Sequence, residues 1–126
     1  MRECGILLPV TSIPSPYGIG GFSRAAYEFV DQLKEAGQQY WQVLPFGPTG
    51  YGDSPYQSFS AFAGNPYFID LDTLAEEGLL TKEECLEADC GQYPAYVDYE
   101  RIYKSRFQVL RKAFERWKLL GQESEE

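Results

Sequence analysis

Residues 5–46, GILLPVTSIPSPYGIGGFSRAAYEFVDQLKEAGQQYWQVLPF, decide the fold. The run GILLPV (5–10) is short, apolar and bounded by Gly5 and the turn-rich TSIPSPYGIGG. A strand covered on both faces reads this way. A helix is predicted over about 23–36, because Phe22, Ala26, Phe29, Val30 and Leu33 recur at helical spacing. Ser23 is placed to cap its start and Gly37 to stop it. A second short strand, YWQVLPF (40–46), follows, with Pro45 expected to end it. Strand, amphipathic helix and strand make a βαβ unit, whose crossover is almost always right-handed and parallel. The expected class is α/β.

Beyond residue 46 the pattern changes. Residues 49–67, TGYGDSPYQSFSAFAGNPY, interleave aromatic rings with serines and glycines, and hold one acid (Asp53) and no base. The stretch is longer than a usual βα loop, and its aromatic content argues against disorder. YFIDL (67–71) reads as a short extended piece. Thr73 with Glu76 and Thr81 with Glu84 both match the S/T-x-x-E capping box, so a short helix is expected at each. Residues 89–98 look irregular. From 99 to 119, Tyr99, Tyr103, Phe107, Leu110, Phe114 and Trp117 recur every three or four residues and predict a long helix. The domain reading is 1–66 for the first two β/α units with the long loop, and 67–126 for the start of an inserted subdomain with the long helix. Two parallel strands do not make a stable sheet, and a (β/α)₈ barrel needs about 200 to 250 residues. The chain therefore reads as the first part of a larger α/β protein.

Composition narrows the function. The 126 residues are 44% hydrophobic and 16% aromatic, with a net charge of −8. That balance disfavours nucleic acid and anionic membranes, whose phosphates are met by Lys and Arg. A neutral partner, read by stacking and hydrogen bonds, suits it better. With no histidine, the commonest general base and metal ligand are missing. The three cysteines, Cys4, Cys85 and Cys90, form no CxxC pair, so a zinc site or disulfide framework is not expected and a reducing cytoplasm is the default. Neither Cys85 nor Cys90 has an evident cationic neighbour to make it reactive. GILLPV is too short for a signal peptide, and nothing approaches the roughly 20 apolar residues of a membrane span.

Two local groups invite sharper readings. The glycines of GIGG (18–21) precede a helix but lack both the GxxxxGK[ST] and the GxGxxG spacing, so a tight turn is preferred to a phosphate loop. Asp53 could be a catalytic carboxylate, but glycosidic chemistry needs two, about 5 to 9 Å apart, and the stretch has no second acid. A turn-fixing Asx residue is the better reading. Tyr51 and Tyr56 offer apolar ring faces to sugar C–H groups and hydroxyls to sugar hydroxyls.

The run WQVLPFGPTGYGDSPYQSFSAFAGNPYFIDL (41–71) closely resembles the amylomaltases, the 4-α-glucanotransferases of glycoside hydrolase family 77. GILLPVTSIPSPYGIGGF, LKEAGQQYWQ, DLDTLAEEGLL and VDYERIY resemble the same family in the same order. The resemblance implies a (β/α)₈ TIM barrel with inserted subdomains and a retaining transfer of α-1,4-glucan segments to another sugar's 4-hydroxyl, with no cofactor. It implies that Ser54 and Tyr56 of DSPY line the donor side near the scissile bond. It further implies that Tyr51 and Tyr103 hold a glucan chain in a neighbouring groove. The family's catalytic carboxylates lie on later strands, and no acid here matches them, so no catalytic residue is expected in this chain. The expected partners are α-1,4-glucans, with neither nucleic acid nor membrane. A free-standing glucan-binding module and an inactive truncated fragment stay open as alternatives.

Overall fold

The first strand, β1, spans Gly5–Leu7 and pairs in parallel with β2, Tyr40–Gln42, in the register Gly5↔Tyr40, Ile6↔Trp41 and Leu7↔Gln42. The helix α1, Arg24–Glu35, joins them, so the expected βαβ unit is present. The computed structural model describes residues 2–50, 52–91, 93 and 95–123. Both strands are shorter than expected. Leu8 still donates to the Gln42 carbonyl at 3.0 Å, but Pro9 has no N–H to continue the ladder, and the chain turns into a 3₁₀ segment, Val10–Ser12. With its partner gone, β2 ends at Gln42, well before Pro45. The cover on both faces that GILLPV calls for is not supplied within this chain, where Ile6 is 40% and Leu7 56% exposed, in keeping with its reading as the first part of a larger α/β protein.

Two compact units make up the chain, residues 1–15 with 19–69, and residues 16–18 with 70–126. In the first, α1 packs Phe29 edge-on against Trp41, ring centres 5.1 Å apart. The Trp41 indole N–H donates to the Leu8 carbonyl at 2.8 Å. Ser23 sits at the N-cap position, but its side chain makes no capping hydrogen bond. Gly37 stops the helix as expected. At φ 71° its N–H reaches Lys34 O and that of Gln38 reaches Leu33 O, which is a Schellman ending. Val10, Ile13, Ile19, Tyr67 and Phe68 form the buried centre.

The GIGG glycines are explained by close backbone packing more than by a turn. A Cβ on Gly20 would lie 2.2 Å from the Val10 carbonyl oxygen, and one on Gly21 2.7 Å from that of Phe68. Gly18, in the second unit, has φ +76° and would place a Cβ 1.8 Å from the Cys90 carbonyl oxygen. No phosphate loop is needed to account for them.

The second unit is helical: α2 (Leu71–Glu76), α3 (Lys82–Glu87) and α4 (Tyr99–Glu123). YFIDL is not extended. Residues Pro66–Phe68 form a 3₁₀ turn, and α2 begins at Leu71. The first capping box is also displaced. Asp70, not Thr73, caps α2, accepting from the Thr73 N–H at 3.1 Å and its hydroxyl at 2.8 Å. The second box forms as read: Thr81 Oγ1 accepts from Glu84 N at 3.2 Å, and Glu84 Oε2 accepts from Thr81 N at 2.9 Å. Leu71, Leu80, Cys85, Ile102, Val109 and Ala113 are buried. Among the described residues no helix is long and apolar enough to cross a membrane.

Candidate functional site: the loop after the second strand

The long loop is ordered by its own serines. Asn65 N–H donates to the Phe46 carbonyl at 2.9 Å and closes the base, while Thr49 and Ser58 form an antiparallel bridge higher up. Gly47 permits that closure, since a Cβ there would lie 2.4 Å from Ser58 Oγ. Ser58 Oγ donates to Ser60 O at 2.7 Å, and Ser60 Oγ accepts from the backbone N–H groups of Phe62 and Ala63 at 3.3 and 3.1 Å. Asn65 Oδ1 accepts from Tyr67 N at 2.9 Å. Side chains thus satisfy backbone groups that no strand or helix serves. Where the loop's ends leave the scaffold, Phe46 and Phe68 meet each other and Phe22 edge to face, with ring centres 5.5 to 5.9 Å apart, the T-shaped geometry that aromatic pairs favour.

Ser54 and Tyr56 sit together in one turn. Ser54 O accepts from Gln57 N at 3.1 Å, and Ser54 Oγ accepts from Tyr56 N at 3.3 Å. A hydroxyl has one donor and two acceptor sites, so this bond leaves Ser54 able to donate to a ligand oxygen. The Tyr56 ring projects outward and is 73% exposed. Asp53 adopts the left-handed conformation at φ 55°, which Asp tolerates, and its N–H closes the turn onto Gly50 O at 3.2 Å. Asp53 thus sits in the turn through its backbone, and the Asx bonding expected of its carboxylate is not among the hydrogen bonds of the described residues. Tyr51 lies outside the described residues. Tyr103 belongs to the other unit, on the first half of α4, where its ring is 65% exposed and meets Phe107 edge-on at 5.5 Å.

Two arrangements in the second unit have no counterpart in the sequence reading. The Tyr17 hydroxyl, Asp72 Oδ1 and Lys82 Nζ bond one another, with Lys82 donating to Tyr17 at 2.9 Å and both Lys82 and Tyr17 donating to Asp72. Burial and the bond to Asp72 push the Tyr17 hydroxyl above its ordinary pKa. Burial alone would raise Asp72, but the bonds from Lys82 and Tyr17 outweigh it and hold the carboxylate below its usual range. The three groups satisfy each other as a staple between residues 16–18 and helices α2 and α3. Sequence separations of 55 and 65 residues leave no spacing to betray it. The second arrangement is a stacked pair, Tyr93 and Tyr96, with ring centres 5.1 Å apart and planes at 17°. Their three-residue spacing was visible in the sequence.

These features describe an α/β scaffold that displays aromatic and hydroxyl groups on an ordered loop. The sequence profile of the 4-alpha-glucanotransferase family matches residues 8–126. The 4-alpha-glucanotransferase of Clostridium butyricum is 57% identical over 105 residues, covering 83% of this chain and 22% of that protein. Those of Streptococcus pneumoniae and Thermus thermophilus are 52% and 55% identical, covering 95% and 93% of the chain and 24% and 22% of the relatives. Among solved structures, the amylomaltase from Streptococcus agalactiae in complex with acarbose matches with a TM-score of 0.87 at 48% identity, over 91% of this chain and 23% of that one. The chain belongs to the 4-α-glucanotransferases of glycoside hydrolase family 77. It spans about a quarter of the length of the relatives it matches.

Proposed function

We propose that this chain supplies the substrate-gripping part of a cytoplasmic 4-α-glucanotransferase, built on the first strands of a (β/α)₈ barrel with residues 67–126 opening an inserted subdomain. In that reaction the bond between a glucosyl C1 and the next sugar's O4 breaks as C1 forms an ester with an aspartate. An acid protonates the leaving oxygen, and an acceptor's 4-hydroxyl then displaces the aspartate with the same configuration restored. The carboxylates for these steps come from outside residues 1–126. Within the chain, Ser54 and Tyr56 hold the donor sugar near the reacting bond, while Tyr51 and Tyr103 hold a more distant stretch of glucan.

One observation carries the reading: the Tyr56 ring stands 73% exposed on a turn whose backbone is tied down by Ser54. An exposed ring on a prefixed backbone loses little freedom when a sugar stacks on it. The complex of the Streptococcus agalactiae relative with acarbose, and relatives named 4-alpha-glucanotransferase, support an α-glucan as that sugar.

The test is Tyr56→Ala in the natural-length protein. Loss of a contact used in the transition state should lower kcat/KM for maltotriose by roughly one to three decades, with kcat itself reduced. Unchanged turnover by a folded variant would refute the assignment.

A further inference from the structure

We propose that the stacked Tyr93–Tyr96 pair, together with the polar cleft between α3 and α4, forms an accessory binding site for α-1,4-glucan. The inference rests on the glucan reading above and adds a surface that neither Ser54 and Tyr56 nor Tyr51 and Tyr103 provide.

Four observations converge on it. First, the two tyrosine rings are 61% and 57% exposed, yet they lie nearly parallel and in contact. Rings that expose this much apolar surface while holding each other form a preordered platform whose outer face is open. A pyranose has an apolar C–H face that suits such a ring, and its hydroxyl rim then needs donors and acceptors at the edge. Second, a cleft of about 390 Å³ lies along α3 and α4, within the range of small-ligand sites. Third, Asp89, four residues before Tyr93, lines the cleft together with Arg101, and the two pair at 3.1 Å. Arg101 is further held by Asp98 at 3.4 Å. Fourth, the cleft is balanced in charge: Glu84, Glu87 and Asp89 face Arg101, Lys104 and Lys112. Three acids against three bases favour neither an anion such as phosphate nor a metal cation. A neutral ligand rich in hydroxyls matches planar carboxylates, a guanidinium and the amide of Gln108, which also lines the wall.

Such a site would act by avidity. A long glucan held here raises its effective concentration at other contacts on the same protein, whereas a trisaccharide is too short to bridge them. The site therefore governs affinity for long chains and not the chemical step.

The experiment uses the natural-length protein and glycogen as the probe, read by affinity electrophoresis alongside maltotriose turnover. The double variant Tyr93→Ala/Tyr96→Ala should weaken glycogen retention by roughly threefold to tenfold while maltotriose turnover stays within about twofold. Tyr93→Phe/Tyr96→Phe keeps the rings and should keep most of the retention. Unaltered retention in the alanine variant overturns the proposal, and so does an equal loss of maltotriose turnover. As a check that needs no variant, glycogen should protect Tyr93 and Tyr96 of the unmodified protein from nitration, located by mass spectrometry; equal nitration with and without glycogen also overturns it. Failure of the unmodified protein to turn over maltotriose would instead defeat the transferase reading, because retention and protection are measured without catalysis.

Discussion

Glu84 holds two elements at once. Its carboxylate accepts from Thr81 N in the capping box of α3, and takes a two-pronged contact from Arg116 on α4 at 2.6 and 2.8 Å. The Arg116 bonds, with the backbone bond from Thr81 second, pull its pKa from 4.5 down to about 2. A folded-state pKa below the unfolded one stabilises the fold above the unfolded value, and that stability is lost as the pH falls through the folded one. Replacing Glu84 by Gln should therefore lower the melting temperature near neutral pH. The gap to the unmodified protein should close between about pH 4.5 and about pH 2. A gap that is constant across this range, followed by circular dichroism, would show that the ion pair contributes nothing. The capping half of this arrangement was legible, because S/T-x-x-E is a local signal. The Arg116 half was not, since 32 residues separate the partners. Gly18 divides the same way: the turn was predicted and its φ of +76° fits one, while the close approach of the distant Cys90 carbonyl was not legible.

At the scale of elements, α4 shows what periodicity does and does not tell. Tyr103, Phe107, Leu110, Phe114 and Trp117 predicted the helix, and the helix is there. They are not its buried face. Ile102, Arg106, Val109 and Ala113, also spaced by three and four, are the residues turned inward, while Tyr103, Phe107, Phe114 and Trp117 are 43% to 65% exposed. At 3.6 residues per turn the two stripes lie side by side, and aromatic residues dominated the reading because Ala113 and the charged Arg106 look unlike core. The displaced cap of α2 has a similar cause: Asp70, one turn earlier, captures the N–H and hydroxyl of Thr73 and makes it part of the helix. The exposure of Tyr103 supports a role in holding glucan away from the reacting bond. Tyr103→Ala should weaken binding of long glucans and leave maltotriose turnover nearly intact, because remote stacking adds uniform binding. Equal losses with short and long substrates, compared by steady-state kinetics, would move Tyr103 into the reacting site.

For the whole molecule, the βαβ connectivity and the ordered loop after β2 were readable because each rests on local pattern: an apolar run, an amphipathic helix, a glycine stop, serines among aromatics. GILLPV and YWQVLPF carry the composition of covered strands, but residues 1–126 do not supply the cover: Ile6, Leu7 and Tyr40 are 40%, 56% and 57% exposed in a two-stranded sheet, in a chain that spans about a quarter of its relatives' length. Two strands alone are marginal, and their open edges invite pairing with other chains. Residues 1–126 expressed alone should therefore aggregate or unfold over a broad temperature range, as followed by circular dichroism. A sharp two-state transition would favour a self-sufficient glucan-binding module.

On the proposed reading, residues 1–126 hold glucan and do not break it. Maltotriose incubated with residues 1–126 alone, and with the natural-length protein, tests it when the products are resolved by length. The account predicts glucose and longer maltodextrins from the natural-length protein and unaltered maltotriose from residues 1–126, whose loop offers Asp53 but no second carboxylate to complete the pair that glycosidic transfer requires. Longer maltodextrins formed by residues 1–126 would contradict it and make catalysts of acids read here as structural.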